Sequence, residues 1–134
     1  MNKLKLSKIV NKIFIKHGLN RLHSKICSDA LINAELVGAH SHGLSRIKMY
    51  CKRIKKKLIN PRPKIKLKKI SQSITHIDAD NSIGFVVADI GIKKVIKNAK
   101  KTGIGIVGIK NSNHYGLSGY YAEQAVKKDL ICMI

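Results

Sequence analysis

The sequence predicts an α/β chain in which a helical N-terminal segment precedes an incomplete α/β layer. Three observations carry that expectation. Apolar residues recur at three- and four-residue steps through the first half, as on one face of a helix. The second half alternates short β-branched runs with helical ones, the order that a sheet with crossover connections requires. Between the halves stands Asn60-Pro61-Arg62-Pro63, and proline disfavours helix in the residue before it. The expected division is a helical segment over residues 1–63 and an incomplete α/β domain over residues 64–134.

In chain order, residues 3–17 place Ile9, Val10, Ile13 and Phe14 at helical spacing, with Gly18 as the stop. Ser24 is a candidate cap for a second helix, whose Ile26, Ala30, Leu31 and Ala34 share a face and which ends near Gly38. A third helix is expected from about Leu44 to Lys57. Residues 74–78 alternate like a strand, and Asp80-Asn81-Ser82-Ile83-Gly84 has the composition of a turn. Residues 85–101 form a helix carrying Val86, Ile90, Val95 and Ile96. Residues 104–109 are a β-branched run, and residues 118–128 are helical again. Leu130-Ile131-Cys132-Met133-Ile134 reads as a last strand, completing a β-α-β-α-β order. A bare apolar strand at an edge invites aggregation, so the fold is expected to have extended further.

Composition narrows the function classes. With 44% apolar residues in 134, the chain can bury a core and is not a disordered segment. It holds no apolar run of the roughly 18–20 residues that a membrane helix needs. Lysines interrupt the apolar residues of the N-terminus, so there is no signal-peptide core, and the cytoplasm is the expected location. Cys27, Cys51 and Cys132 are widely spaced and make neither a disulfide framework nor a metal site. The net charge of +20 points by itself to nucleic acid. Only four of the 27 basic residues are arginine, however, and lysines run through nearly every segment. Ten of the basic residues fall between Lys52 and Lys69 with no aromatic side chain among them for base stacking, which favours a solvated face.

Two clusters carry chemistry. The first is Ser41-His42-Gly43-Leu44-Ser45-Arg46, with Tyr50 four residues on. A helix starting near Gly43 would put Arg46 and Tyr50 on one face, and Ser41 and His42 at an N-terminus that favours anions. A guanidinium fork can bind a carboxylate through two hydrogen bonds, and imidazole exchanges protons near neutral pH. The same residues also fit a polar cap followed by surface side chains. The second cluster, Asn111-Ser112-Asn113-His114-Tyr115-Gly116 leading to Gly119-Tyr120-Tyr121, follows a predicted strand and opens a helix. Ligands of α/β sheets bind at such strand ends, so His114 is a candidate proton donor and acceptor, or a loop histidine bonded to backbone.

Together these motifs resemble the malate/L-lactate dehydrogenase-type oxidoreductases, over nearly the whole chain from about Ser24 onward. Asn60-Pro61, the Asp80–Gly84 segment and Gly103-Ile104-Gly105-Ile106-Val107 are similar to theirs as well. The resemblance implies interconversion of 2-hydroxy and 2-keto acids with NAD or NADP, in a homodimer, through a nicotinamide-binding architecture unlike the usual (Rossmann) dinucleotide fold. It implies proton transfer by His114 or His42, and a substrate carboxylate on Arg46 with Ser41 and Tyr50 beside it. It also implies that the chain is the N-terminal portion of such an enzyme, with most cofactor contacts outside it. Gly103-x-Gly105-x-x-Gly108 spells a dinucleotide fingerprint, but its glycines follow a helix and enter a strand, the reverse of the required order. Two other readings remain: a basic nucleic-acid-binding protein, and a non-catalytic module that docks on a full-length relative.

Overall fold

In the computed structural model, which describes residues 3–134, five α-helices and two 3-10 turns accompany a three-stranded mixed sheet, and the helix between its last two strands packs on that sheet. Helix α1 (Lys3–Lys16) lies on α2 (Arg21–Leu36), with Val10 and Phe14 buried between them as their spacing predicts. The cap of α2 is Asn20, whose side chain accepts the His23 N–H at 2.8 Å. Ser24 is one turn inside the helix and fully buried, so it is not the cap. Its position follows the apolar face that includes Cys27 and Leu31, and that face continued one turn further back than the residue types indicated.

The third helix is shorter than expected. Two 3-10 turns, His40–His42 and Leu44–Arg46, come first, and α3 spans Ile47–Lys55. Strand β1 (Lys66–Lys69) pairs antiparallel with β2 (Ile74–Ser82), and β2 pairs parallel with β3 (Ile106–Ser112) across helix α4 (Gly84–Thr102). Helix α5 (Ser118–Val126) follows. The expected turn at Asp80–Gly84 is a bulge instead. Asp80 and Asn81 take the left-handed backbone conformation that their side chains tolerate, and β2 runs on to Ser82.

The last strand does not form. Residues 130–134 pair with no strand among the described residues, and Ile131 and Met133 stand 100% and 95% exposed. Leu130 and Cys132 pack on Tyr121 and Ala125 of α5 and form no ladder with the outer edge of β3. The order is thus β-β-α-β-α, still an α/β arrangement. The main core joins both halves of the chain: Phe14, Leu31, Tyr50 and Ile59 pack with Ile83, Phe85 and Val86. The other side of α4 is open. With β3 and residues 131–134 it frames an apolar groove of about 950 Å³. Gly103 closes α4 in a left-handed turn and Gly108 lies within β3, so the fingerprint glycines do not sit between a strand and a helix. No described helix is long and apolar enough to cross a membrane.

Candidate active site

The 3-10 turn that carries Ser41 and His42 is held from below by Glu35, at the end of α2. One carboxylate oxygen accepts the Leu44 N–H at 2.6 Å and the other meets His40 Nδ1 at 2.5 Å. These two contacts, the His40 bond first, keep the Glu35 carboxyl below its ordinary value. Glycine at position 43 leaves room for this carboxylate: a Cβ there would lie 2.1 Å from the Glu35 oxygen, and the side chain would have to move. The turn is therefore not the open helix N-terminus that the sequence implied. Leu44's N–H is taken by Glu35, and the helix proper begins at Ile47. Ser41 Oγ lies 3.0 Å from His42 Nδ1. Arg46 Nε donates to Ser41 O at 2.6 Å, which leaves both terminal guanidinium nitrogens without a protein partner among the described residues.

Tyr50, one turn on from Arg46, is fully buried with its ring edge-on to Phe85 at 5.0 Å. Its hydroxyl is 2.7 Å from His114 Nδ1, and the Gly116 N–H reaches the same nitrogen at 3.2 Å. A backbone N–H can only donate, so Nδ1 is the acceptor and the neutral ring carries its proton on Nε2. Tyr50 O–H then donates as well. Burial also pushes the Tyr50 phenol up, so it remains a donor over the physiological range. The His42 and His114 rings stack at 5.8 Å with 25° between their planes. His114 titrates below its ordinary value, first because its inward side is desolvated and then because His42, Arg46 and Arg53 oppose a further positive charge.

The His114 segment is seated by close backbone approach. A Cβ on Gly84 would come within 2.2 Å of Asn113 O and 2.5 Å of His114 O, so only glycine at the start of α4 lets the segment lie there. Asn113 ties it to the bulge of β2: its Nδ2 donates to Asn81 Oδ1 at 2.8 Å and to Ser82 O at 3.0 Å. Its Oδ1 accepts from Arg53 Nη2 at 3.0 Å.

All five residues singled out in the sequence thus meet in one place. His42 stacks on His114, Tyr50 bonds to His114, and Ser41 lies between His42 and Arg46. Sequence reasoning missed Glu35, Arg53 and the part played by Asn113. A signal existed for Arg53: residues 46, 50 and 53 follow the four-then-three spacing of one helix face, but it was submerged in the basic run. The arrangement can hold an anion on a guanidinium fork next to a neutral imidazole N–H.

The chain is an α/β fold that sets a histidine pair beside an arginine, and the comparisons give that fold its family. The Malate/L-lactate dehydrogenase family matches residues 1–134, and the chain belongs to it. It is 40% identical over 123 residues to the malate/(S)-sulfolactate dehydrogenase of Methanothermus fervidus, covering 92% of this chain and 36% of that protein. The solved malate dehydrogenase of Pyrococcus horikoshii superposes with a TM-score of 0.92 at 40% identity, over 96% of this chain and 37% of the other. The ureidoglycolate dehydrogenase (NAD(+)) of Escherichia coli K12 is 32% identical over 126 residues, 94% of this chain and 36% of that protein. The chain therefore spans about a third of the length of the curated relatives it matches.

Proposed function

We propose that this chain is the substrate-binding, proton-transferring portion of an oxidoreductase that interconverts 2-hydroxy and 2-keto acids with NAD or NADP. The observation that carries the reading is the Tyr50–His114–His42 arrangement, with His114 Nδ1 saturated by two donors and Nε2–H left as the outward group. In this reading Arg46 takes the substrate carboxylate on its two terminal nitrogens. Nε2–H of His114 faces the substrate oxygen as a hydrogen-bond donor. The proton passes to that oxygen, as the carbonyl is reduced, from the imidazolium in which Nδ1 has taken a second proton and Tyr50 O–H has turned to accept, so that a neutral ring is left. His42, oriented by Ser41, is the second group able to exchange that proton. A depressed His114 pKa favours the neutral ring at pH 7, and a second proton on the stacked pair is opposed by the charge of the first.

The described residues do not fit a dinucleotide in the usual way. The glycine turn after α4 is filled by backbone, since a Cβ on Gly105 would lie 2.3 Å from Val95 O, and it offers no pyrophosphate cradle. This chain's part is the acid side of the reaction. The test is oxidation of NADH and NADPH by the purified chain with a panel of 2-keto acids, beside His114→Ala and Arg46→Ala. In an active form each substitution lowers kcat/KM by ~100-fold or more, through lost proton transfer or lost carboxylate binding. Near wild-type turnover by both variants would refute the assignment.

A further inference from the structure

The mechanism leaves Arg53 unused, although its guanidinium joins α3 to the segment that carries His114. From α3 it donates to Asn113 Oδ1 at 3.0 Å, while the Nδ2 of the same amide is committed to Asn81 and Ser82 on β2. Asn113 immediately precedes His114, and Tyr50, one turn back on α3, bonds to that histidine. The 3-10 turn and α3 thus grip the two clusters through three side chains: Arg46 of the turn on Ser41, and Tyr50 and Arg53 of the helix on His114 and Asn113.

We propose that Arg53 is a positioning residue for His114, acting through the Asn113 amide to hold the segment where Nδ1 receives both Tyr50 O–H and Gly116 N–H. The functional weight of this rests on His114 being the proton-transfer residue, but the geometry stands without it. An asparagine amide is nearly symmetric in shape, and only its partners decide which end faces α3. Asn81 O, Asn81 Oδ1 and Ser82 O all demand the NH₂ end on the strand side, and Arg53 holds the oxygen on the other. Remove that hold and His114 loses the exact reach to Tyr50. Its Nδ1 then no longer has two donors, and the preference for the Nε2–H tautomer weakens. The groups facing the ring are His42 on the preceding turn, Arg46, Tyr50 and Arg53 from the α3 side, and the Gly116 N–H on its own segment.

The experiment is long-range ¹H–¹⁵N spectroscopy of the imidazole nitrogens in the full chain. Wild type shows His114 as a single neutral tautomer protonated on Nε2. In Arg53→Gln the preference falls roughly tenfold, the weight of one net hydrogen bond. Arg53→Lys, which keeps a cationic donor, restores most of it. Combined with Asn113→Ser, Arg53→Gln adds nothing further, because the two side chains act as one unit. An unchanged tautomer in Arg53→Gln overturns the proposal, as does additivity of the two substitutions. If Asn113→Ser does not fold, the two Arg53 variants decide. Titration with pyruvate and oxaloacetate separates the remaining reading. Selective loss of oxaloacetate affinity in Arg53→Gln, with the tautomer intact, makes Arg53 a contact for a second carboxylate and removes the positioning role. A chain that binds neither acid yet shows the tautomer change keeps this proposal and defeats the functional one.

Discussion

The His42 turn and the His114 segment reach the same point by different means. His42 rides on a turn held by side-chain ends: the Glu35 carboxylate beneath Gly43 and the Arg46 guanidinium across Ser41. His114 rides on a segment held by backbone, pressed against Gly84 with its carbonyls inside the space of a methyl group. Flexible side-chain ends can yield to a change, whereas main chain pinned between a helix and a strand bulge cannot. The His42 turn is therefore the more adjustable of the two, while the His114 main chain is seated and only the aim of its ring is left to Asn113 and Arg53.

The sharpest way to break this contrast is Gly84→Ala. The added carbon meets two backbone carbonyls, so about 3 kcal/mol of stability should be lost despite the better helix propensity of alanine, lowering Tm by roughly 10 °C in thermal unfolding. An unchanged Tm would show that the segment slides freely. Gly43→Ala is the matched control. Its obstacle is the end of the Glu35 side chain, so about 1–2 kcal/mol is expected, along with loss of the Glu35 contact to Leu44.

Tyr50→Phe keeps the buried ring and deletes one donor, at about 1 kcal/mol. That donor serves the neutral imidazole, so its removal should raise the His114 pKa toward the ordinary 6.5, read by NMR titration of the ring protons. A downward movement would contradict the hydrogen-bond assignment. The smallest effect belongs to Glu35. Its carboxyl is depressed in the folded chain, so its contribution is present above the ordinary 4.5 and is lost as the pH falls through the lower folded value. Glu35→Gln should remove this acid-side slope in urea titrations, lowering stability at neutral pH toward the level wild type reaches once the carboxyl is protonated.

Much of this was legible in the residues, for identifiable reasons. The faces of α1, α2 and α4 show because burial imposes a 3.6-residue period, and Val10, Phe14, Leu31 and Val86 obey it. The site residues were legible because histidine, arginine and tyrosine at close spacing are chemically unusual. Strand β1 was not, since all four of its residues are exposed and no burial pattern marks Lys66–Lys69. The strand expected at residues 130–134 failed for the opposite reason: apolar composition was present, but a strand also needs a partner's backbone, and here Leu130 and Cys132 pack on side chains of α5 without pairing. The α2 cap went to Asn20 rather than Ser24 because capping depends on which residue stands outside the helix, and Ser24 is part of the buried face. Arg53 escaped notice because its meaning lies in Asn113, sixty residues away.

The open groove beside β3 gives the lysines a colloidal role. Ile104, Ile106, Ile131 and Met133 present apolar surface next to an unpaired strand edge, the kind of surface on which identical molecules adhere. A charge of +20 on every copy opposes that encounter without any contact to show for it. Such repulsion reaches only as far as salt permits, about 10 Å at 0.1 M and about 3 Å at 1 M. Added salt, which solubilises many basic proteins by freeing them from polyanions, should here draw the molecules together, so that light scattering at fixed protein concentration rises with ionic strength.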